Sequence, residues 1–438
     1  MFTATSVGMT AKPAPVARRR LRTLAGFATR PLEVLTELAR EYGDVVRLGF
    51  GGYCLITHPE HVKHVLEDNY DNYWKGRTML RRSGGLFGEG LVANDGDWRH
   101  QRRVILPVLS PRAAHAQVPL IVDETLRAIE RWQGYAGPFG LKAELRALTQ
   151  SVIVRILMGQ DLGRWARSLG QAMCDIGHYV GGSMRAPIFV PPSVPTPGNL
   201  RFRRAVRALD RALLELRSGG GGDLLSVLRA SGASEKRVRD ELVTMFVAGH
   251  ETAASTLTWT LVCLSKNSAV RRRLAEEVFR VLGEREPGAP DLDRLEYMER
   301  VLKEVLRLYP PAWVFVREPY ANDCIGGYRI PAGASVLLCP YLTHRRTELW
   351  PDPECFDPER FASGRIQGLP KFAWYPFGGG PRICLGQPFA FTQMKVMLAL
   401  WAQHFPLTLE PGPPLKPDPR LTLEPRGELR VSLAPEGW

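Results

Sequence analysis

The stretch Phe377-Gly378-Gly379-Gly380-Pro381-Arg382-Ile383-Cys384-Leu385-Gly386 surrounds one cysteine with four glycines, a proline and an arginine. A tight turn with a buried thiol, a phosphate cradle and a metal site all use such a loop. The phosphate reading fails, because no Lys-Ser or Lys-Thr follows and no strand-to-helix dinucleotide pattern surrounds it. A thiolate ligand needs backbone N–H groups turned towards sulfur, and consecutive glycines let the chain wrap that closely. The pattern from Phe389 to His404 predicts a helix just beyond, whose N-terminus stabilises a thiolate.

The seven cysteines, at 54, 174, 263, 324, 339, 355 and 384, are odd in number and contain no C-x-x-C pair. That argues against a disulfide framework, a zinc finger and an iron–sulfur site. With no companion ligand near Cys384, a multi-ligand metal site is disfavoured. A haem brings four nitrogens of its own and needs one protein ligand on that side.

The rest of the 438-residue chain is globular in composition, with 45% hydrophobic and 24% charged residues, enough for a sizeable core. Lysine and arginine (58) exceed aspartate and glutamate (45), a net charge of +13 that favours an acidic partner or surface. No zinc, helix-turn-helix or aromatic-basic pattern points to nucleic acid. Nothing approaches the ~18 continuous apolar residues of a membrane span, and the first thirty residues lack a secretory apolar core. The expectation is a soluble cytoplasmic protein without a membrane span.

Residues 1–30 read as a basic tail, in which Ala17-Arg18-Arg19-Arg20-Leu21-Arg22 is solvated. Residues 31–438 read as one domain. Pro31 opens a helix, Gly43 ends it, and Asp44 to Leu48 with Tyr53 to Thr57 make a hairpin. Helix then dominates to about residue 310, broken by loops at Gly84–Gly90, Pro191–Gly198 and Gly219–Gly222. From about 313 short strands appear: Trp313 to Val316, Tyr328 to Gly333 and Ser335 to Leu338. The layout is α+β and mainly α, a large helical lobe with a smaller β-rich lobe.

The Cys384 stretch resembles the cytochrome P-450 signature Phe-Gly-x-Gly-x-Arg-x-Cys-x-Gly at Phe377, Gly378, Gly380, Arg382, Cys384 and Gly386. Distant segments agree, in the family's order. Trp98-Arg99-His100-Gln101-Arg102 matches Trp-x-x-x-Arg. Ala248-Gly249-His250-Glu251-Thr252 matches the family's distal-helix motif and lies on the apolar stripe Val243, Val247, Ala254, Leu257 and Leu261. Glu304-x-x-Arg307 precedes Phe356-Asp357-Pro358-Glu359-Arg360-Phe361. The resemblance covers about residues 30 to 435.

It implies a haem b between a proximal and a distal helix, with Cys384 as the iron ligand and Phe377 shielding its sulfur. Gly386 would let the macrocycle approach the backbone. Trp98, Arg102, Arg382 and Arg317 would meet the propionates. Glu304, Arg307 and Arg360 would form a structural network. Thr252 would act on the bound oxygen and Glu251 in its proton relay, while His250 occupies the motif's variable position. Gly249 serves either close helix packing or an opened helix above the iron, and the resemblance favours the opened helix.

The family's substrate pocket maps onto Leu80, Phe87, Leu91, Phe246, Ala248, Gly249, Val314, Phe315 and Val316, with Ile188-Phe189-Val190 and a turn near Pro425. These are mostly apolar, so a lipophilic substrate is expected. The implied activity is a monooxygenase that puts one atom of O2 into a terpenoid, fatty acid or polyketide in secondary metabolism. Electrons would come from NAD(P)H through a separate acidic ferredoxin or flavodoxin and its reductase, docking near Arg99, Arg103 and Lys371 of a monomer. The competing readings are haem-thiolate chemistry without external reductant, as a peroxygenase or a dehydratase/isomerase, and a non-catalytic haem sensor. The pair Glu251-Thr252 argues against the former.

Overall fold

The computed structural model describes residues 11–18, 20–93, 96–186, 188–218, 223–404 and 407–433. The Gly219–Gly222 run and the first ten residues lie outside them. Val45–Arg47 and Tyr53–Ile56 form the expected hairpin, with Val46 opposite Leu55. Tyr53–Ile56 is buried at all four positions because Ser335–Leu338 runs parallel along its other edge. Phe315–Pro319 and then Tyr73–Trp74 complete a five-stranded sheet. The strand expected at Trp313 starts two residues later, since the Trp313 indole instead turns to the Arg420 carbonyl at 3.3 Å.

The basic tail is a correction. Lys12–Pro13 pairs parallel with Tyr328–Ile330, and Arg20–Thr29 is a helix. Ala14, Ala17 and Phe27 are buried. Three apolar side chains spread through a basic stretch suffice to dock it, although average composition hides them.

Two long helices organise the other lobe. Glu235–Lys266 packs against Leu141–Met158. Gln387–His404 is buried through most of its length, Met394, Val396, Leu400 and Trp401 included, as a helix apolar on all sides must be. Among the described residues no single helix is long and apolar enough to cross a membrane.

A buried ion pair links the helix Glu296–Leu308 to the Cys384 loop. Glu304 and Arg307 are both fully buried. Arg307 donates Nε and Nη2 to the two carboxylate oxygens at 2.7 and 2.8 Å, and its remaining N–H groups to the carbonyls of His344, Pro353 and Cys355. All five guanidinium donors are thereby satisfied. Glu304 also accepts from the Asp357 backbone and lies 3.4 Å from Arg360 Nε. Burial still raises its carboxyl, against Arg307, Asp357 and Arg360, which lower it.

His344 continues the connection. Burial and the Arg307 charge push its imidazole down to about 3, so it is neutral. Its Nε2 accepts the Tyr375 N–H at 2.9 Å, which leaves the proton on Nδ1, 3.2 Å from the Arg307 carbonyl. Tyr375 in turn accepts the Gly378 N–H at 2.9 Å, at the start of the cysteine loop.

Glu304→Leu strands a buried guanidinium and should lower stability by about 3–5 kcal/mol, read as a fall in the urea unfolding midpoint. Glu37→Leu removes half of an exposed pair with Arg30 and should leave the midpoint in place. Equal midpoints for Glu304→Leu and the unaltered chain would show that the network carries no stability.

Candidate active site

Cys384 sits in the loop that precedes the helix Gln387–His404. Its N–H donates to the Phe377 carbonyl at 3.0 Å, and the Ile383 N–H to the Gly380 carbonyl at 3.1 Å. Gly378 and Gly380 take left-handed φ of 72° and 64°, which L side chains resist. A Cβ at Gly380 would fall 1.8 Å from the Leu66 carbonyl oxygen, and one at Gly379 would fall 2.2 Å from the Phe372 ring. The glycines therefore serve chiefly to seat the loop against the turn His64–Asp68 and Phe372. At Gly386 a Cβ would lie 3.9 Å from Cys384 Sγ, an ordinary contact.

The thiol is exposed, but towards a cavity rather than the outer surface. The surrounding protein raises its pKa by burial, while the N–H groups of Gly386 and Gln387 and the charges of Arg102 and Lys75 pull it down. The loop thus offers a desolvated sulfur with donors already directed at it.

Cations gather on the same side. Trp98 and Arg102 lie one turn apart on the helix Trp98–Ile105. Arg102 Nη1 donates to the Ile383 carbonyl at 2.6 Å, and burial holds its pKa below the usual value. The guanidinium of Arg382 lies 4.5 Å from the Trp98 ring centroid. Lys75, absent from the sequence reading, lines the cavity and donates to the Leu91 carbonyl at 2.9 Å. Arg317 donates to the Val316 carbonyl at 2.8 Å and lines the adjoining space.

Opposite Cys384, Ala248, Gly249 and Thr252 of the helix Glu235–Lys266 close the cavity. This helix runs from Glu235 to Lys266 through the motif. A Cβ on Gly249 would meet Ile153 Cδ1 at 2.7 Å, so close packing supplies the reason for the glycine. Thr252 Oγ1 donates back to the Ala248 carbonyl at 2.8 Å.

Glu251 is buried, with Oε1 3.4 Å from His250 Nε2 and Oε2 3.5 Å from Arg146 Nε. Burial pushes its carboxyl up, but His250 and Arg146 outweigh that and leave it below the ordinary carboxylate range. Arg146 also pairs with Glu424, and Lys142 Nζ stands 3.8 Å from the same carboxylate. Arg146, Lys142 and Glu424 were not singled out from the sequence. The only local signal was the i, i+4 spacing of Lys142 and Arg146, because their acid arrives from a hairpin some 280 residues away.

The cavity between Cys384 and Thr252 measures about 280 Å³. It merges with a second one of about 420 Å³ that also reaches Cys384 and is walled by Phe87, Val180, Val247, Val314, Phe315, Val316 and Leu421. Leu91, Ala248, Gly249 and Phe315 line the first. Leu80 and Phe246 border neither: Leu80 packs against the helical core, and Phe246 points into it beside His250. Val180, Met184 and Arg185 stand where Ile188 to Val190 were expected, and Arg420, Leu421 and Thr422 replace Pro425. The donor set suits a flat dianionic macrocycle, with one sulfur below, indole and guanidinium groups at the edge, and a small-residue helix above.

The cytochrome P-450 family model matches residues 21–431. The chain is 33% identical to cyclooctatin synthase of Streptomyces melanosporofaciens over 92% of this chain and 91% of that one. It is 35% identical to cyclooctat-9-en-7-ol 5-monooxygenase of the same organism, over 87% and 86%. With pentalenene oxygenase of Streptomyces avermitilis it shares 29% over 92% and 93%. Matches of this length and identity assign the chain to the cytochrome P-450 family, as a monooxygenase that carries haem on a cysteine thiolate.

Proposed function

We propose that this monooxygenase oxidises a terpenoid carbon skeleton, with Cys384 as the iron ligand. The observation that carries the reading is the apolar cavity bounded by the Cys384 sulfur on one side and Thr252 on the other. The names of three similar proteins, cyclooctatin synthase, cyclooctat-9-en-7-ol 5-monooxygenase and pentalenene oxygenase, support the substrate class. Haem bound there supplies the activation of O2 and the transfer of one oxygen atom.

The chain's own residues do the rest. The N–H groups of Gly386 and Gln387 stabilise negative charge on sulfur, as does the helix that starts at Gln387. Phe377 lines the sulfur side of the cavity and limits water there. Trp98, Arg102, Arg382 and Arg317, with Lys75, would hold the propionates of a bound haem. Phe87, Val314, Phe315 and Val316 hold the skeleton by apolar contact and exclude water.

Thr252 Oγ1 rests on the Ala248 carbonyl and can turn its hydroxyl into the cavity as a donor. Glu251 holds a carboxylate between His250 and Arg146 and passes protons inward when that contact loosens, with Glu424 and Lys142 behind it. Electrons come from NAD(P)H through a separate acidic ferredoxin or flavodoxin, which meets the face bearing Arg99, Arg103 and Lys371. Arg99 is already paired with Asp71 and Lys371 with Glu67, so an acidic carrier competes with those surface contacts.

A spin-shift titration of the haem-loaded protein with terpenes, fatty acids and polyketides, followed by product analysis, tests the substrate class. Terpenoids should shift the spectrum and be oxidised, whereas turnover confined to the other classes would refute it. Thr252→Ala should keep consuming reductant while product falls and peroxide rises, and Glu251→Gln should slow turnover about 100-fold. Unchanged product per reductant in Thr252→Ala would remove Thr252 from the mechanism.

A further inference from the structure

The cavity above Cys384 is closed at its outer end by a cation that the chemistry at Cys384 does not use. Arg185 ends the helix Ala166–Arg185 and is half-buried. It lines the 420 Å³ cavity that reaches Cys384, and also a surface pocket of about 170 Å³ bordered by His178, Gly181, Asp418 and Arg420. Cys384 borders only the former, so Arg185, together with Arg420, stands between the cavity and the surface pocket.

Its hydrogen bonding is incomplete. Nε donates to the Gly181 carbonyl at 3.1 Å, and among the described residues its two Nη groups meet no acceptor. The nearby carboxylate, Asp418, is engaged by Arg420 Nε at 2.8 Å. Arg420 in turn lies 2.6 Å from His178 Nε2 through Nη1. Arg426 adds a further positive charge near Arg185, so the end of the cavity carries surplus positive charge. Burial lowers the Arg185 pKa, Asp418 offsets part of that, and Arg420 and Arg426 lower it further. The end of a helix favours a cation, but it does not account for four N–H donors beside the apolar Val180, Met184 and Leu421.

A guanidinium with both Nη groups available matches a carboxylate in a bidentate fork. We propose that Arg185 receives a carboxylate of the substrate, so that this enzyme acts on a terpenoid acid with its acid group at the outer end and its hydrocarbon part towards Thr252. The proposal rests on reading this cavity as the substrate site. It places the enzyme after a reaction that generates a carboxylic acid, by oxidation of an alcohol or aldehyde or by ester hydrolysis.

Calorimetric binding to the haem-loaded protein tests it, using a diterpene carboxylic acid, its primary alcohol and its parent hydrocarbon, beside palmitic acid and hexadecanol. The diterpene acid should bind at least about tenfold tighter than its alcohol. Arg185→Gln should erase that preference, leave alcohol and hydrocarbon affinities within about twofold, and keep the haem spectrum, while Arg185→Lys should retain part of the preference. Equal binding of acid and alcohol, or a loss for all ligands alike in Arg185→Gln, overturns the proposal. If only palmitic acid binds, and does so through Arg185, the terpenoid reading fails while the carboxylate site stands. If the neutral diterpenoids bind and are oxidised with no gain for the acid, the terpenoid reading stands and the carboxylate site fails.

Discussion

The buried pair of Glu304 and Arg307 is the constraint on which the rest depends. Two charges removed from water are tolerable only when their hydrogen bonds are complete, and here the five donors of Arg307 meet two carboxylate oxygens and three carbonyls. Those carbonyls belong to the segment 344–355, a run of turns that has no ladder of its own to hold it. Neutral His344 passes the constraint to Tyr375, and Tyr375 passes it to Gly378. From there the contact of Gly380 with Leu66 fixes the loop from the other side. The sulfur is held by a continuous series of contacts that begins one helix away.

A fixed sulfur is useful only if its open face meets something chosen. The charged groups divide the cavity by height. Near Cys384 the groups are Arg102, Arg382 and Lys75, suited to a dianionic macrocycle. The walls of the adjoining cavity are mostly aliphatic and aromatic, with Glu251, Thr252 and Arg317 among the polar exceptions. Glu251 is balanced on its far side by Arg146, so its charge adds little to the wall facing a hydrocarbon. At the outer end Arg185 and Arg420 return positive charge to the wall. The division favours an amphiphile over a uniform hydrocarbon.

How much of this could be read from the sequence follows from how local each cause is. The Cys384 loop was legible because six matched positions fall within ten residues, and Ala248 to Thr252 because they share one helix turn. Glu304 and Arg307 were visible as a spacing, but their burial was not, since it comes from residues 344–360. Phe246 was misread as lining the pocket because its phase on a helix buried on most sides turns it to the core. Gly249 could be read as serving an opened helix or close packing, and the packing partner, Ile153, lies on a helix about a hundred residues earlier, out of reach of any local pattern. Arg146, Glu424, Lys75 and Arg185 carry no motif, because each gains meaning from partners distant in the chain. The docking of residues 11–18 and 20–29 was hidden by their basic composition.

The central claim is that one sulfur, held by this loop, binds the iron. The reduced protein under carbon monoxide tests it most directly. Cys384 as a thiolate ligand predicts a strongly red-shifted Soret band, lost in Cys384→Ser although haem is still bound. The same red-shifted band in Cys384→Ser, or its absence from the unaltered protein, would contradict the account.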